Sequence, residues 1–180
     1  PTQAGAIPGV FKYQDVNGDK VIDANDRTII GDPNPDFTYG LNLAASYKQF
    51  DVSMFFYGVA GKDAFNFTRW FMDFSSGFPG GRSKRSLYES WLPHGSRPDA
   101  TTPIQTTTIT GGGFSTSGQV NSYYVEDASY LRMRNLQIGY TLPQSLLSKW
   151  HINKVRIYLQ GTNLFRITDY SGLNPDIIST

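Results

Sequence analysis

Two stretches in which apolar and polar side chains alternate constrain this chain more than any other feature. From Phe37 to Tyr47 the odd positions are aromatic or aliphatic and the even positions are small or polar, and after Lys48 and Gln49 a similar alternation begins at Phe50. A period of two is typical of a β-strand whose two faces meet different surroundings. Each arm has about 10 residues, the length of a tilted strand that crosses a bilayer. The sequence therefore predicts a transmembrane hairpin over residues 37–59.

A second pair of alternating stretches lies near the end of the chain. Residues 129–142 and 154–165 are separated by Pro143 and a short connection with one predicted helical turn at Ser145–Trp150. They predict a second transmembrane hairpin over residues 129–165. The side chains expected to face inward are the polar members of the alternation: Thr38, Asn42, Ser46, Gln137 and Thr141.

Two arginines fall on the apolar parity of the third strand. Arg132 and Arg134 are both an even number of residues from Leu136 and Ile138. Strict alternation would therefore place both guanidinium groups on the lipid side, where they could reach lipid phosphates at the membrane interface. The alternative is that this part of the strand rises clear of the membrane.

Short and long connections alternate along the chain. Residues 1–36 form an Asp-rich loop, residues 60–128 a long irregular connection with a short helix within Ser83–Leu92, and residues 166–180 a loop that precedes an expected last strand. Outer-membrane barrels have short periplasmic turns and long extracellular loops. The sequence predicts an all-β fold, made of antiparallel strands of a large, partial transmembrane β-barrel with these three segments outside the cell. A secreted calcium-loop carbohydrate-binding or adhesin β-sandwich is the alternative.

Charge and motifs exclude several classes of function. The net charge of +1 does not suggest nucleic acid as a partner, and no apolar run reaches the roughly 18 residues of a membrane helix. His94 and His151 lie in different connections, and the chain has no nucleophile, base or phosphate-loop motif. Glu126 and Asp127 are expected to be solvated loop residues. We therefore predict that the chain is not an enzyme and has no catalytic residue.

The Asp-rich loop carries the spacing of a calcium-binding loop. With Asp15 as the first position, oxygen ligands recur in the order that an EF-hand loop uses, although Lys20 replaces its glycine. The predicted ligands of Ca²⁺ are Asp15, Asn17, Asp19, the carbonyl of Val21, Asp23 and Asp26. The same residues could instead form Asx turns that bond the loop's own backbone, and both interpretations stay open.

Aromatic side chains in the long connection are the candidates for ligand or partner contact. Exposed aromatic clusters stack on sugars or pack against other proteins, whereas buried ones hold a loop down, and the sequence does not separate the two roles. The candidates are Phe65, Phe67, Trp70, Phe71, Phe74 and Phe78.

Four segments resemble the SusC/RagA family of TonB-linked outer-membrane transporters, and they follow the family's order and spacing. They are residues 13–27 continuing through 30–40, Trp91-Leu92-Pro93 with the loop at Pro98-Asp99, residues 125–143, and residues 155–165. Together they span nearly the whole chain.

The resemblance implies a function for a larger protein. It implies a barrel with an N-terminal plug in the outer membrane of a Bacteroidetes-type bacterium, in contact with outer-membrane lipid. The TonB complex would act through an N-terminal part that is absent from this chain, and a SusD-like lipoprotein would cover the outer mouth. Family members import oligosaccharides (glycans) or peptides as nutrients and continue to one more strand after the region of Tyr170–Asp176.

Overall fold

The structure is a computed structural model, and it describes residues 1–73, 81–93, 97–104 and 120–176, apart from the side chain of Trp70. Its strands are β1 (Thr2–Gln3), β2 (Val21–Ile22), β3 (Phe37–Tyr47), β4 (Phe50–Ala60), β5 (Asp63–Phe65), β6 (Val125–Asp127), β7 (Tyr130–Thr141) and β8 (Arg156–Ile167). Its α-helices are α1 (Phe67–Asp73), α2 (Lys84–Tyr88) and α3 (Gln144–Leu147), and single 3-10 turns lie at Ala24–Asp26, Ser122–Tyr124 and Ser148–Trp150.

Four long strands form one antiparallel sheet in the order β3-β4-β7-β8. The first hairpin closes through Lys48 and Gln49, with Tyr47 paired to Phe50. The second hairpin joins β7 to β8, and β4 pairs with β7 across the long connection. The predicted class of antiparallel strands with a short loop helix is confirmed, and α2 is shorter than the predicted helix. No helix in the described ranges is long and apolar enough to cross a membrane.

The sheet has one apolar and one polar face. Cross-strand partners point to the same side of a sheet, so the register defines both faces: Leu43 pairs with Met54, Met54 with Leu136, and Leu136 with Gly161. The apolar face of β3, β4, β7 and β8 carries aliphatic and aromatic side chains from end to end. The predicted inward-facing residues lie together on the opposite, polar face: Thr38, Asn42, Ser46, Gln137 and Thr141.

Along most of its length the apolar face stays open in the described parts of the chain, although Met133 on it is buried. Leu43 and Leu159 on that face are 42% and 76% exposed. A β-sandwich would bury this face against a second sheet about 10 Å away. The alternative of a β-sandwich module therefore does not fit the described residues, because large apolar side chains of this face stay exposed.

A β-bulge reverses the parity that strict alternation predicts for the outer half of β7. Residue 134 has no partner in either neighbouring strand, and the register shifts there against both β4 and β8. Leu131 and Met133 consequently join the apolar face, and Arg132 pairs with Tyr57 on the polar face. The prediction that Arg132 lies on the lipid side is wrong, because one extra residue in a strand exchanges its faces.

The remaining segments gather where β4 ends and β7 begins. We call this part the cap; it consists of the described residues of 1–36, 61–73, 81–93, 97–104, 120–129 and 168–176. Its centre is Tyr124, which is fully buried and packs against Phe11 and Phe65. Gly9 adopts a φ of +91° beneath the ring of Trp91, where a Cβ atom would collide with that ring. The cap is thus a packed unit at one end of the sheet.

Candidate functional site

The Asp-rich loop is held together by its own carboxylates. Asp15 accepts hydrogen bonds from the backbone N–H groups of Gly18 and Lys20 at 2.7 and 2.9 Å. Asp26 accepts from the N–H groups of Val16 at 2.8 Å and Asp23 at 2.9 Å. These bonds, the one from Asp23 first, lower the pKa of Asp26 below its usual value. The Asx-turn interpretation of this loop thus accounts for the hydrogen bonds that the structure shows.

Lys20 occupies the position that the calcium spacing reserves for glycine. Its φ is +69°, so the left-handed turn that the glycine would favour is present. In the part of the chain that the structure describes, no three acidic, histidine or cysteine side chains converge as a metal site requires. The predicted ligands are Asp15, Asn17, Asp19, Val21, Asp23 and Asp26, and calcium binding by them stays a prediction.

The described aromatic candidates form a row that runs from the cap's interior to its surface. Phe65 packs edge-on against Phe67 at a centroid distance of 5.4 Å, and Phe67 lies 5.6 Å from Phe71. Phe65 also contacts the buried ring of Tyr124, whereas Phe67 and Phe71 are half-exposed. Phe65 therefore helps to hold the loop down, and contact of Phe67 and Phe71 with a ligand or partner stays a prediction. Phe74, Phe78 and the side chain of Trp70 lie outside the described residues.

A buried carboxylate in the cap collects four donors. The side chain of Asp73 is 1% exposed and pairs with Arg69 at 3.3 Å and with Arg85 at 3.4 Å. The hydroxyl of Tyr123 donates to it at 2.8 Å, and the hydroxyl of Ser83 donates to its other oxygen. Burial raises the pKa of Tyr123 above its usual value. The cluster ties α1 to the start of α2 and to the turn that precedes β6.

Glu126 extends this cluster toward the end of the chain. Arg69 bridges the two carboxylates, because its guanidinium also lies 3.1 Å from Glu126. Glu126 further accepts from Asn66 at 3.1 Å and from the backbone and hydroxyl of Ser171 at 2.8 and 2.9 Å. Burial alone would raise the pKa of Glu126, but these donors and the Arg69 charge outweigh it and hold the pKa below its usual value. The expectation of a solvated loop residue is wrong for Glu126, because its partners are distant in sequence.

Residues 168–176, the part of the cap that we call the clamp segment, are fastened to both the rest of the cap and the sheet. The ammonium group of the buried Lys62 donates to the carbonyl of Pro175 at 2.7 Å. Asp176 forms an ion pair with Arg132 at 2.6 Å. The clamp segment contains no strand, although residues 166 and 167 of the predicted loop belong to β8, and these contacts hold it in place.

Sequence reasoning missed Lys62, Asn66, Arg69, Asp73 and Asp176. Most of their partners are distant in the sequence, such as Pro175 for Lys62 and Ser171 for Asn66. The periodicity of the strands carries no information about such pairs. The histidines stay outside any cluster of this kind in the described chain, since His151 lies at the opposite end of the sheet and His94 is outside the described residues.

Comparison with known proteins gives a consistent family. No protein-family model matches the chain. TonB-dependent receptor P3 of Formosa agariphila is 36% identical over 169 residues, which are 94% of this chain and 16% of that receptor. TonB-dependent receptor SusC of Bacteroides thetaiotaomicron is 28% identical over 93% of this chain and 15% of its own length. The chain thus spans about a sixth of the curated relatives that it matches.

Solved structures agree with these relatives. The structure of the RagAB peptide transporter has a TM-score of 0.70 and 28% identity, over 86% of this chain and 16% of the matched chain. The RagAB peptide importer in its closed-closed state gives a TM-score of 0.64, again at 28% identity, over 82% of this chain and 15% of the matched chain. Sheet, cap and sequence therefore point to the same group, and the chain is a segment of an outer-membrane β-barrel protein of the SusC/RagA type of TonB-dependent receptors.

Proposed function

We propose that this chain forms part of the wall and outer surface of a TonB-dependent importer that takes up oligosaccharides or peptides with a SusD-like surface lipoprotein. The observation that carries the proposal is the division of the sheet into an unbroken apolar face and a polar face. Such a sheet is stable where one face meets lipid and the other lines a hydrated interior. The relatives named as receptors and transporters support a role in uptake rather than in catalysis.

The cap supports an extracellular position for the long connections. Its buried ion pairs and packed aromatic rings give it a fixed surface, and fixed loop surfaces are suited to binding a partner. The exposed sides of Phe67 and Phe71 are the aromatic surface offered to a lipoprotein, an oligosaccharide or a peptide. A calcium ion on the Asp-rich loop would stiffen that loop, since its aspartates supply the oxygen ligands that Ca²⁺ prefers.

Uptake in living cells tests the proposal. We would delete the gene of the full-length protein from its own host and measure the uptake of fluorescent oligosaccharides and peptides. We expect uptake of one substrate class to be lost, to return with the intact gene, and to require TonB and a neighbouring lipoprotein gene. Membrane fractions would be blotted to show that complemented strains hold equal amounts of protein. Uptake that is unaffected by loss of the gene or of TonB would refute the proposal.

A further inference from the structure

Three arginines meet on the polar face directly below the cap. Arg132 and Arg166 are direct cross-strand partners on β7 and β8. Arg134, at the bulge, places its guanidinium carbon 4.9 Å from the ring centroid of Tyr57, which is a polar-face residue of β4. Like charges opposite one another destabilise a sheet. A sheet that brings three arginines together therefore needs carboxylates of its own to neutralise them, or it uses their positive charge for binding.

Internal neutralisation is incomplete. Arg132 pairs with Asp176, and both Arg132 and Arg166 donate to the side-chain oxygen of Asn174 at 3.1 Å. Arg166 also donates to the carbonyl of Leu173 at 3.3 Å. Among the described residues, neither Arg134 nor Arg166 has a carboxylate within ion-pair distance. Three guanidinium groups thus share one carboxylate, and the neutral oxygens of the clamp segment orient two of them.

The structure offers these groups a stable scaffold. Tyr130 is buried beneath the cluster, with its ring 6.2 Å from that of Tyr57 and 5.3 Å from the guanidinium of Arg132. The bulge turns Arg134 out of the strand's pairing, and its side chain remains exposed above the tyrosine ring. A guanidinium held on an aromatic ring keeps its N–H fork free for a planar anion. In this cluster the guanidinium group of Arg134 is consequently open to a ligand, and those of Arg132 and Arg166 are already held in place.

We propose that Arg134, with Arg166 and Arg132 beside it, binds a carboxylate group of the imported oligomer on the interior side of the sheet. The inference rests on the proposed function and adds a substrate class to it, namely acidic nutrients in preference to neutral ones. A carboxylate of this kind occurs both in uronic-acid glycans and in acidic peptides. The tyrosine rings of the same cluster could stack on either a sugar or a peptide group.

Binding to the full-length protein in detergent tests the inference. The probes are a galacturonate oligomer with its neutral methyl ester, and an end-blocked peptide of alternating glycine and glutamate with its glutamine counterpart. The protein variants are Arg134→Gln and, as a matched control, Arg27→Gln, which removes the same charge from the exposed Asp-rich loop. Arg134 is exposed and lies over the ring of Tyr57, so its variant should fold, and circular dichroism would verify this.

We expect one acidic probe to bind at least tenfold more tightly than its neutral partner, and Arg134→Gln to weaken that binding about tenfold, as loss of a charge-assisted contact would. Arg27→Gln should leave it unchanged. The acidic probe that shows the preference identifies the source of the carboxylate. Equal binding of acidic and neutral probes, or equal losses in both variants, would overturn the inference. If uptake still depends on the gene in that case, only the substrate class fails and the proposed function stands.

Discussion

Replacement of Asp73 by Asn should loosen the cap without disturbing the sheet. The Asp73 carboxylate is almost completely buried and accepts from Tyr123 and Ser83 while pairing with Arg69 and Arg85. Asparagine keeps the shape but removes the charge and turns an NH₂ group toward these donors. Removal of one partner from a buried ion pair costs about 3–5 kcal/mol. We take the lower end, about 3 kcal/mol, because both arginines are partly exposed and can turn toward water.

Hydrogen exchange followed by mass spectrometry measures this loss where it arises. A decrease of about 3 kcal/mol in the local opening free energy corresponds to roughly hundredfold faster exchange of the protected amides in the cap. Amides of β4 and β7 should be unaffected, because their ladder of backbone hydrogen bonds does not involve Asp73. The control is Glu89→Gln, which removes the other carboxylate near Arg85; that pair is exposed and 3.8 Å apart, so its loss should change exchange little.

Two results would refute this reasoning. If Asp73→Asn left exchange in the cap unchanged, the ion pairs and hydrogen bonds of Asp73 would not contribute to the stability of the cap. If Glu89→Gln accelerated exchange as much as Asp73→Asn, burial would not be the factor that makes the Asp73 interactions strong.

Three further predictions concern the clamp segment, the Asp-rich loop and the sheet. Because the folded pKa of Glu126 is depressed, the stability that it contributes is present above the usual glutamate pKa and is lost as the pH falls through the folded value. Protection of the clamp segment's amides, measured relative to their intrinsic exchange rates, should therefore decrease as the pH is lowered below the usual glutamate pKa, and Glu126→Gln should abolish this pH dependence. Isothermal titration with Ca²⁺ should give heat with the wild type and none with Asp19→Ala, and heat from both would contradict the ligand assignment. Leu43→Arg on the apolar face should destabilise the inserted protein by about 2–4 kcal/mol, measured by denaturant unfolding in lipid, whereas Asn42→Arg on the polar face should be tolerated; equal effects would mean that the faces are misassigned.

The strands were predictable because their signal is local. Alternation over about ten residues reports directly on the two environments of a strand, and the predicted hairpins lie within one or two residues of β3–β4 and β7–β8. The inward-facing set was predictable for the same reason, as Thr38, Asn42 and Gln137 share a face with their predicted companions. The side of Arg132 was not, since a single unpaired residue at position 134 exchanges the faces beyond it.

The cap could not be predicted in the same way. Its stability depends on pairs such as Lys62 with Pro175 and Glu126 with Ser171, which are separated by 113 and 45 residues. Each such partner is one polar residue among many possible ones, and no spacing rule selects it. The Asp-rich loop was predictable in part. Its residues and their spacing are evident in the sequence, and only the structure shows that its carboxylates accept hydrogen bonds from its own backbone.

The sequence by itself therefore determined the two hairpins, the sorting of polar and apolar side chains along them, and the family, because these depend on neighbours within a strand's length. Only the tertiary structure decided where the bulge falls, which carboxylates are buried, and that Arg132, Arg134 and Arg166 stand together with a single carboxylate. These features arise from the pairing of distant segments, and their energies depend on burial, which a linear pattern does not contain.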